Sequence, residues 1–523
     1  MIAGRRRTDV LALLGLLVMA AALRLPNLAT RGTWDADQGH DMLTLRALVR
    51  DGVIPLLGPP TSIGDVHHGA LYYYLLAPAA ALTGGDSPLA VVALIALAGI
   101  AAVGVTWWLA GSIAGPVAGF VAGLAMAVSP AAVDESTFIW NPNLIALSSA
   151  IALAGAWRAW TSRRARWWLL AAVGVAITMQ CHVLGVTLLP VVGALLVADA
   201  RRRTAPDERT AVIRAGLGGL AIIAMSFLPL MIHELTTNFS EVQAALRYLR
   251  AGGDHTSLGP VARLLVVATR VVSWPLVGLV TAGLTAAVVA IAGLVSLTVW
   301  RFRAATGQER VAVRWLGLGL AWTALALTVI SPSLAGVVEG LPNDHYHAFA
   351  DPMVFVLVGI GAGALWSAAG RQLAAGNRTA APGQLLAGVG VLAIVAWAAF
   401  HQPPAIASDG GFPAAQAAAL RIQADAGSGP IVLASLPAFK TAEAYEYPIV
   451  QASGGVVNDL AAASLAGRTL VVLCDSLFET AIGAPCGGPA EAAVAPPDRY
   501  AGPLDRFKAA PRQTISVYRL RPP

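Results

Sequence analysis

An acidic cluster follows the first apolar run of the chain. Residues 34–41 read WDADQGHD and carry three carboxylates, Asp35, Asp37 and Asp41, with an imidazole between them. Charged groups beside a membrane are costly to keep, so such a cluster indicates a functional site. A carboxylate there can accept the proton of an attacking hydroxyl or amine. We expect Asp37 and Asp35 to be catalytic; the alternative is a solvated loop whose carboxylates cap a helix over residues 42–49.

A pair of histidines lies further along the same loop. His67 and His68 are followed by three tyrosines, Tyr72–Tyr74. Imidazoles can bind a phosphate, a sugar or a metal ion, so we place both histidines in the substrate site. The tyrosines are typical interfacial anchors. A divalent metal ion is a further alternative that the sequence leaves open. The side chains that could hold it are Asp35, Asp37, His68 and Glu135.

Other polar residues stand at the ends of later apolar runs. A lipid phosphate needs hydrogen-bond donors or cations, and these positions can supply them. The further candidates for substrate binding are Asn141, His182, Arg270, His345, Tyr346 and His347. Structural alternatives exist for most of them: Asn141 could cap a helix that starts at Pro142, and residues 343–347 could form a polar turn.

These candidates must be positioned by membrane helices. Hydrophobic residues make up 57% of the 523 residues, charged residues only 12%, and the mean hydropathy is +0.67. We predict a polytopic α-helical membrane protein with about eleven transmembrane helices. The predicted spans cover residues 8–27, 88–110, 114–132, 143–160, 167–182, 184–199, 212–232, 276–299, 312–331, 349–367 and 384–401. The apolar run 69–83 is short and predicts an interfacial or re-entrant helix instead.

The arginines indicate the orientation of these spans. They concentrate in alternate short loops: 5–7, 158–166, 201–214, 301–314 and 371–378. The positive-inside rule therefore places the N-terminus in the cytoplasm. The first outer loop, about residues 24–87, all nine histidines and the C-terminus then lie outside. Because the arginines determine topology, the net charge of +6 does not indicate a nucleic-acid partner.

The polar C-terminal part predicts a second domain. We divide the chain into a membrane module, 1–401, and a small extracytoplasmic α/β domain, 402–523. A helix is predicted over 413–426 and strands over 431–435, 469–474 and 515–520. Outside the cytoplasm Cys474 and Cys486 are expected to form a disulfide; the alternative is two free thiols.

In their order, these motifs resemble those of the GT-C glycosyltransferases, in particular the aminoarabinose transferases and protein O-mannosyltransferases. The resemblance covers most of residues 1–370, and Leu228–Leu235 followed by Phe239 is similar to a segment of bacterial members. Residues 34–38 are similar to the family's Trp-x-x-Asp-Glu motif, which puts the catalytic aspartate at Asp37, with Gln38 in place of the second acid.

The chain departs from the family pattern at its other motifs. His67-His68-Gly69 stands where relatives carry Glu-Lys-Pro, and Asn141-Pro142 where they carry Asp-Pro. His182 stands where they place a lysine near the donor phosphate. A metal site like that of some relatives would need the histidines to replace the missing carboxylates.

The resemblance implies a membrane enzyme with a lipid-linked substrate. The donor would be a sugar on a polyprenyl phosphate, used at the outer face of the cytoplasmic (inner) membrane. The acceptor would be an envelope lipid, glycan or protein, and a single displacement would invert the anomeric centre. Two other readings remain: a transporter or lipid flippase, and a non-catalytic envelope-assembly protein. A transporter should carry ionisable residues in mid-span, whereas here they gather at one face.

Overall fold

The computed structural model describes residues 2–61, 66–253, 256–278, 283–335, 346–374, 381–427, 429–438, 441–453 and 468–521. Within these ranges nine helices are long and apolar enough to cross a membrane, and two shorter helices, Pro116–Val128 and Trp167–Cys181, are also apolar. The first helix, Ile2–Arg24, carries the N-terminal arginines on an otherwise apolar segment. The helical membrane module that the hydropathy predicts is therefore present.

The elements have the following bounds. The α-helices are α1 (Ile2–Arg24), α2 (Leu28–Arg31), α3 (Ala36–Asp51), α4 (Leu71–Ala81), α5 (Pro88–Ala114), α6 (Pro116–Val128), α7 (Pro130–Asp134), α8 (Ile145–Ser162), α9 (Trp167–Cys181), α10 (Leu188–Arg202), α11 (Pro206–Ser226), α12 (Leu228–Thr236), α13 (Ser240–Arg250), α14 (Pro260–Val277), α15 (Leu284–Ala304), α16 (Gly307–Ile330), α17 (Asp351–Ala374), α18 (Ala381–Phe400), α19 (Gly411–Ala426), α20 (Glu443–Ser453), α21 (Glu479–Ile482) and α22 (Pro489–Val494). The strands are β1 (Leu57–Pro60), β2 (His67–Gly69), β3 (Ile431–Leu436), β4 (Thr469–Asp475), β5 (Tyr500–Lys508) and β6 (Gln513–Leu520). Short 3-10 helices cover Asn141–Leu144, Val183–Thr187, Pro332–Ala335, Ala348–Ala350 and Ser476–Phe478.

The first loop is ordered by a helix that begins earlier than predicted. Asp35 and Gln38 form a capping box, in which each side chain bonds the backbone of the other residue, and α3 starts at Ala36. Asp37 and Asp41 are therefore helical residues instead of loop residues ahead of a helix at 42. The β1–β2 hairpin follows, and the predicted short helix is α4, which begins at Leu71.

α13 and α14 lie between the predicted spans 212–232 and 276–299, where no helix was predicted. Arg263 and Arg270 interrupt the apolar run of α14, the longer of the two. Near one end of α14, Arg263 donates to the carbonyl of Thr328, close to the end of α16 (3.3 Å). Near its other end the Pro275 carbonyl accepts from Ser129, directly after α6 (2.7 Å). α14 thus lies across the ends of neighbouring helices, and the following span begins at residue 284 instead of 276.

The C-terminal part forms a four-stranded sheet in the order β3-β4-β6-β5. β3 and β4 are parallel, and the other two pairs are antiparallel. β3, β4 and β6 coincide with the predicted strands, and α19 with the predicted helix, whereas β5 was missed because it exposes most of its residues. A disulfide joins Cys474 in β4 to Cys486, with 5.6 Å between the Cα atoms.

This C-terminal domain packs directly on the first loop. The indole of Trp34 lies between Phe412 and Tyr447 and donates to the carbonyl of Ala444 (2.8 Å). α20 crosses α3 at Gly39, where a Cβ would collide with the backbone of Glu443. Only glycine permits this close approach, so the backbone of α3 and the C-terminal domain form one unit at this point.

Candidate active site

Asp37 is the exposed carboxylate of the cluster. It lies in the first turn of α3, and its Oδ2 accepts a hydrogen bond from the indole of Trp140 (3.2 Å). The helix N-terminus favours the ionised form of an acid placed there. Asp37 is therefore an oriented, solvent-accessible carboxylate, as a proton acceptor requires.

Asp35 is held between α3 and the C-terminal domain. Its backbone N–H donates to Oε1 of Gln38 (2.8 Å), and its Oδ1 accepts from Gln513 of β6 (3.2 Å). The Oε1 of Gln513 in turn accepts from the hydroxyl of Tyr445 (2.5 Å). The amide of Gln38, the residue that stands in place of the second acid of the motif, donates to the Ile139 carbonyl (2.8 Å). Asp35 is thus a structural cap whose second partner comes from the C-terminal domain.

Asp41 is buried one helical turn after Asp37. Its two oxygens accept from the hydroxyls of Tyr72 (2.7 Å) and Tyr73 (2.8 Å) of α4. Burial raises the pKa of Asp41 to about 7, although the two tyrosine hydrogen bonds oppose this. Two of the predicted anchor tyrosines therefore fasten α4 to α3.

Three aromatic rings, those of His68, His182 and Tyr346, lie together and form what we call the histidine cluster. The imidazoles of His68 and His182 lie 4.9 Å apart, and the ring of Tyr346 meets His182 edge-on at 5.4 Å. His68 and His182 are both nearly fully buried, and Nδ1 of His68 has no hydrogen-bond partner. Burial, followed by the proximity of His182 and His67, keeps the pKa of His68 well below its usual value. A buried imidazole with an unsatisfied nitrogen is suited to a polar ligand.

Asn141 lies between Trp140 in the chain and the segment of His182 in space. It follows Trp140, the partner of Asp37, and its amide donates to the carbonyl of Cys181, directly before His182. Asn141 is therefore not the helix cap that the sequence allowed, because Trp140 occupies the cap position of the 3-10 helix. Two hydrogen bonds from neighbouring residues therefore reach both groups: Trp140 binds Asp37, and Asn141 binds the residue directly before His182.

His67, unlike His68, contacts α13. Its backbone N–H and its Nδ1 lie 2.7 and 3.0 Å from the two oxygens of Glu241 in α13. The carboxylate of Glu234 accepts in turn from the backbone N–H groups of Glu241 and Val242. His67 thus joins the β1–β2 hairpin to α13. Of the two adjacent histidines, His68 is the one that lies in the histidine cluster.

A second, buried cluster contains the remaining candidates. Glu135 accepts from the indole of Trp274 (2.9 Å), whose ring meets that of His347 edge-on at 6.3 Å. Nδ1 of His347 lies 3.5 Å from Asp351. Burial and the charge of Asp351 keep the pKa of Glu135 well above its usual value. Arg270, one turn before Trp274, donates to the Leu334 carbonyl, and His345 lies outside the described residues.

The comparisons with known proteins agree with this architecture. A family model described as dolichyl-phosphate-mannose-protein mannosyltransferase matches residues 67–228. No curated protein matches the chain by sequence. ArnT from Cupriavidus metallidurans in the apo state is 14% identical, with a TM-score of 0.58 and 98% of each chain covered. The chain has the GT-C fold.

Two further solved structures share this fold. ArnT from the same organism bound to undecaprenyl phosphate is 12% identical, with a TM-score of 0.57 over 97% of each chain. AglB from Archaeoglobus fulgidus, in complex with an inhibitory peptide and a dolichol-phosphate, is 10% identical, with a TM-score of 0.50 over 92% of this chain and 70% of that one. The resemblance and the fold class predicted from the sequence are confirmed.

The residues proposed as metal ligands do not converge in this GT-C fold. Asp35 contacts Gln513, Asp37 contacts Trp140, His68 faces His182, and Glu135 contacts Trp274. Among the residues described, no group of three or more histidine, cysteine or acidic side chains could hold a metal ion. The four residues thus do not fit a shared metal site, and we derive no step through one.

Several residues of the candidate site could not be found from the sequence. Glu241 holds His67, Gln513 holds Asp35, and Glu443 lies 2.9 Å from His40. Burial alone would lower the pKa of His40, but the hydrogen bond and charge of Glu443 outweigh it and raise the pKa. Each partner is remote along the chain, and only the acidity of Glu241 and Glu443 could have drawn attention to them.

Proposed function

We propose that this protein is a membrane glycosyltransferase that moves a sugar from a polyprenyl-phosphate carrier to an acceptor at the outer face of the cytoplasmic membrane. The single observation that supports this best is that Trp140 and Asn141, neighbours in the chain, bind the exposed carboxylate of Asp37 at one side and the segment that carries His182 of the histidine cluster at the other. One side suits an acceptor that must lose a proton, and the other suits a polar leaving group. The GT-C fold and the ligand named for one ArnT structure, undecaprenyl phosphate, support the same function.

In the proposed reaction Asp37 is the general base. Its carboxylate takes the proton of the acceptor hydroxyl or amine as that atom attacks the anomeric carbon. The new bond forms to the acceptor while the bond between the anomeric carbon and the phosphate oxygen breaks, and the lipid phosphate leaves as an anion. A single displacement inverts the anomeric centre. Trp140 fixes the orientation of the carboxylate through its indole N–H.

The histidine cluster is the proposed donor site. His68 offers an unsatisfied buried nitrogen, the tilted ring of His182 lies against it, and Tyr346 meets His182 edge-on. A phosphate bound at this cluster would accept hydrogen bonds from the imidazoles. It would also favour their protonation, since a nearby negative charge raises the pKa of a histidine. Arg270 and His345 remain candidates for binding the same phosphate. His347, which contacts Trp274 and Asp351, remains a further candidate for substrate binding.

The orientation is also part of the proposal. The N-terminus lies in the cytoplasm, and the C-terminal domain, 402–523, lies outside with the first loop on which it packs. The hydrogen bonds of Trp34 to Ala444 and of Tyr447 to Gly85 support placing the two on the same side of the membrane. The acceptor is an envelope lipid, glycan or protein, and the sugar is a hexose or a pentose.

The function can be tested with purified protein. The full chain is incubated with a panel of polyprenyl-phosphate hexoses and pentoses and with envelope extracts, and the products are identified by mass spectrometry. We expect one donor to give a glycosylated product, and Asp37→Asn to form that product far more slowly. Asp51→Asn is the matched control, because Asp51 is an exposed carboxylate at the other end of α3. No product with any donor, or full activity in Asp37→Asn, would contradict the proposal.

A further inference from the structure

We propose that α13 is a membrane-surface helix that binds the headgroups of anionic phospholipids in the leaflet beside the active site. The inference concerns bulk membrane lipid and not the sugar donor, so it goes beyond the proposed function. It rests on the three faces of the helix and on what precedes it in the chain.

The first face packs against the protein. Glu241 and Ala244 are buried, and Glu241 receives two hydrogen bonds or contacts from His67 at 2.7 and 3.0 Å. The Glu234 carboxylate, on α12, accepts from the first backbone N–H groups of the helix (2.9 and 3.2 Å). Glu241 is the one carboxylate in the sequence of α13, and it is turned inward. The helix is thus fixed in rotation about its axis.

The second face is an exposed apolar stripe. Val242, Leu246 and Leu249 follow one another at intervals of four and three residues, which places them on one side of α13, and Phe239 directly precedes the helix. All four are exposed, Leu249 by 65%. Four large apolar side chains in a row on the surface are typical of an interaction site and not of a solvated face.

The third face lies along one edge of this stripe and is basic. Arg247 and Arg250 each follow a leucine of the stripe and are exposed. Basic residues flanking an apolar face are typical of helices that lie in the plane of a membrane, where the guanidinium groups meet lipid phosphates. The charge of the exposed surface therefore complements an anionic lipid.

The chain before α13 supports a lipid and not a protein as the occupant. α11 is a candidate span, and its apolar window is only 11% buried inside the protein. α12 continues the exposed apolar surface through Leu228, Met231, Ile232 and Leu235. The stripe of α13 is thus continuous along the chain with surface that faces the hydrocarbon. Through His67, α13 also connects the lipid surface to the hairpin that carries His68.

The test measures where α13 lies and whether its position depends on lipid charge. A nitroxide label is attached to Leu249→Cys and, separately, to Gln243→Cys in the full chain. The native cysteines do not interfere, since Cys181 is buried and the other two form the disulfide. Each protein is placed in nanodiscs of phosphatidylcholine alone or with phosphatidylglycerol, and label accessibility to oxygen and to a water-soluble relaxant is compared.

We expect the label at 249 to be reached by oxygen and shielded from the water-soluble relaxant, and the label at 243 to be less shielded. Phosphatidylglycerol should increase the shielding at 249, and the double variant Arg247→Gln/Arg250→Gln should lose that increase. Arg209→Gln/Arg214→Gln, an exposed pair at the opposite end of α11, is the matched control and should keep it. A water-accessible label at 249, a shielding that ignores lipid charge, or dipolar broadening between two copies would each overturn the proposal. Sugar transfer is not read in this experiment, so its outcome is independent of the proposed function.

Discussion

Asp37 and Asp41 are two carboxylates one turn apart on the same helix, and the protein treats them in opposite ways. Asp37 is exposed and accepts a hydrogen bond from the indole of Trp140, whereas Asp41 is fully buried and accepts from two tyrosine hydroxyls. Burial raises the pKa of Asp41 to about 7. Burial and hydrogen-bond partners, and not residue type or spacing, therefore decide which carboxylate of the cluster can reach a substrate. Asp41 holds α4 against α3, and Asp37 is left to meet a substrate.

The largest expected effect separates the two acids by rate. Asp37→Asn should lower the rate of sugar transfer by roughly a hundred-fold to ten-thousand-fold, because it removes the proton acceptor. Its melting temperature in detergent should change by little, since Asp37 is exposed and the asparagine oxygen can still accept the hydrogen bond of Trp140. Initial rates and melting curves on the same preparations would measure both. A destabilised Asp37→Asn protein would mean that the acid has a structural role.

Asp41→Ala should give the reverse result. The substitution leaves two buried tyrosine hydroxyls without their acceptor, which costs about 2–4 kcal/mol of stability in the first loop. The melting temperature should fall, while the transfer rate of the remaining folded protein should change far less than in Asp37→Asn. If Asp41→Ala instead kept its stability and lost transfer, the assignment of the two roles would have to be exchanged.

The contact between α3 and the C-terminal domain should be the next most sensitive. A Cβ at residue 39 collides with the backbone of Glu443, so Gly39→Ala should separate the two elements at a cost of about 1–3 kcal/mol. Protease digestion should then cut the junction before α19 faster. Gly15→Ala is the matched control, because a Cβ there meets nothing within 4 Å. Equal digestion of both variants would show that the domain does not depend on this close approach.

The raised pKa of Asp41 predicts a pH dependence. Its native pKa lies above that of the unfolded chain, so the native state binds the proton more tightly, and the associated stability is present at low pH and lost as pH rises through about 7. Between about pH 8 and about pH 6 the wild type should gain about 1 kcal/mol relative to Asp41→Asn. The raised pKa of His40 acts in the same direction, and its main cause, Glu443, is present in both proteins, whereas the smaller contribution of the Asp41 charge is lost in Asp41→Asn. Parallel melting curves of the two proteins across this range would refute the buried assignment.

Trp140→Phe should have the smallest effect. It removes one hydrogen bond to Asp37 and keeps an aromatic ring, so transfer should fall only several-fold, by about 1 kcal/mol. The loss should appear in kcat more than in KM, because the indole orients the base and does not bind the donor. An effect as large as that of Asp37→Asn would indicate that the indole itself contacts the reacting groups.

Local patterns predicted most of the fold and part of the site. Apolar runs indicated the helices, β-branched runs indicated β3, β4 and β6, and the motif around Asp37 singled out that residue, although it was expected in a loop ahead of the helix and lies in its first turn. The pairings that complete the site could not be predicted, because they join residues far apart in sequence: 174 positions separate His67 from Glu241, and 478 separate Asp35 from Gln513. α14 was missed for a different reason, since its two arginines break the apolar pattern of a helix that lies across other helix ends.

The central claim is that Asp37 is open to the outer surface while Asp41, on the same helix, is not. Labelling of intact cells with a membrane-impermeant maleimide tests it directly, using Asp37→Cys and Asp41→Cys, with Arg209→Cys as a marker of the opposite face. We predict that Asp37→Cys reacts in intact cells, that Arg209→Cys reacts only after permeabilisation, and that Asp41→Cys reacts only after denaturation. Labelling of Asp37→Cys only after permeabilisation would contradict the account.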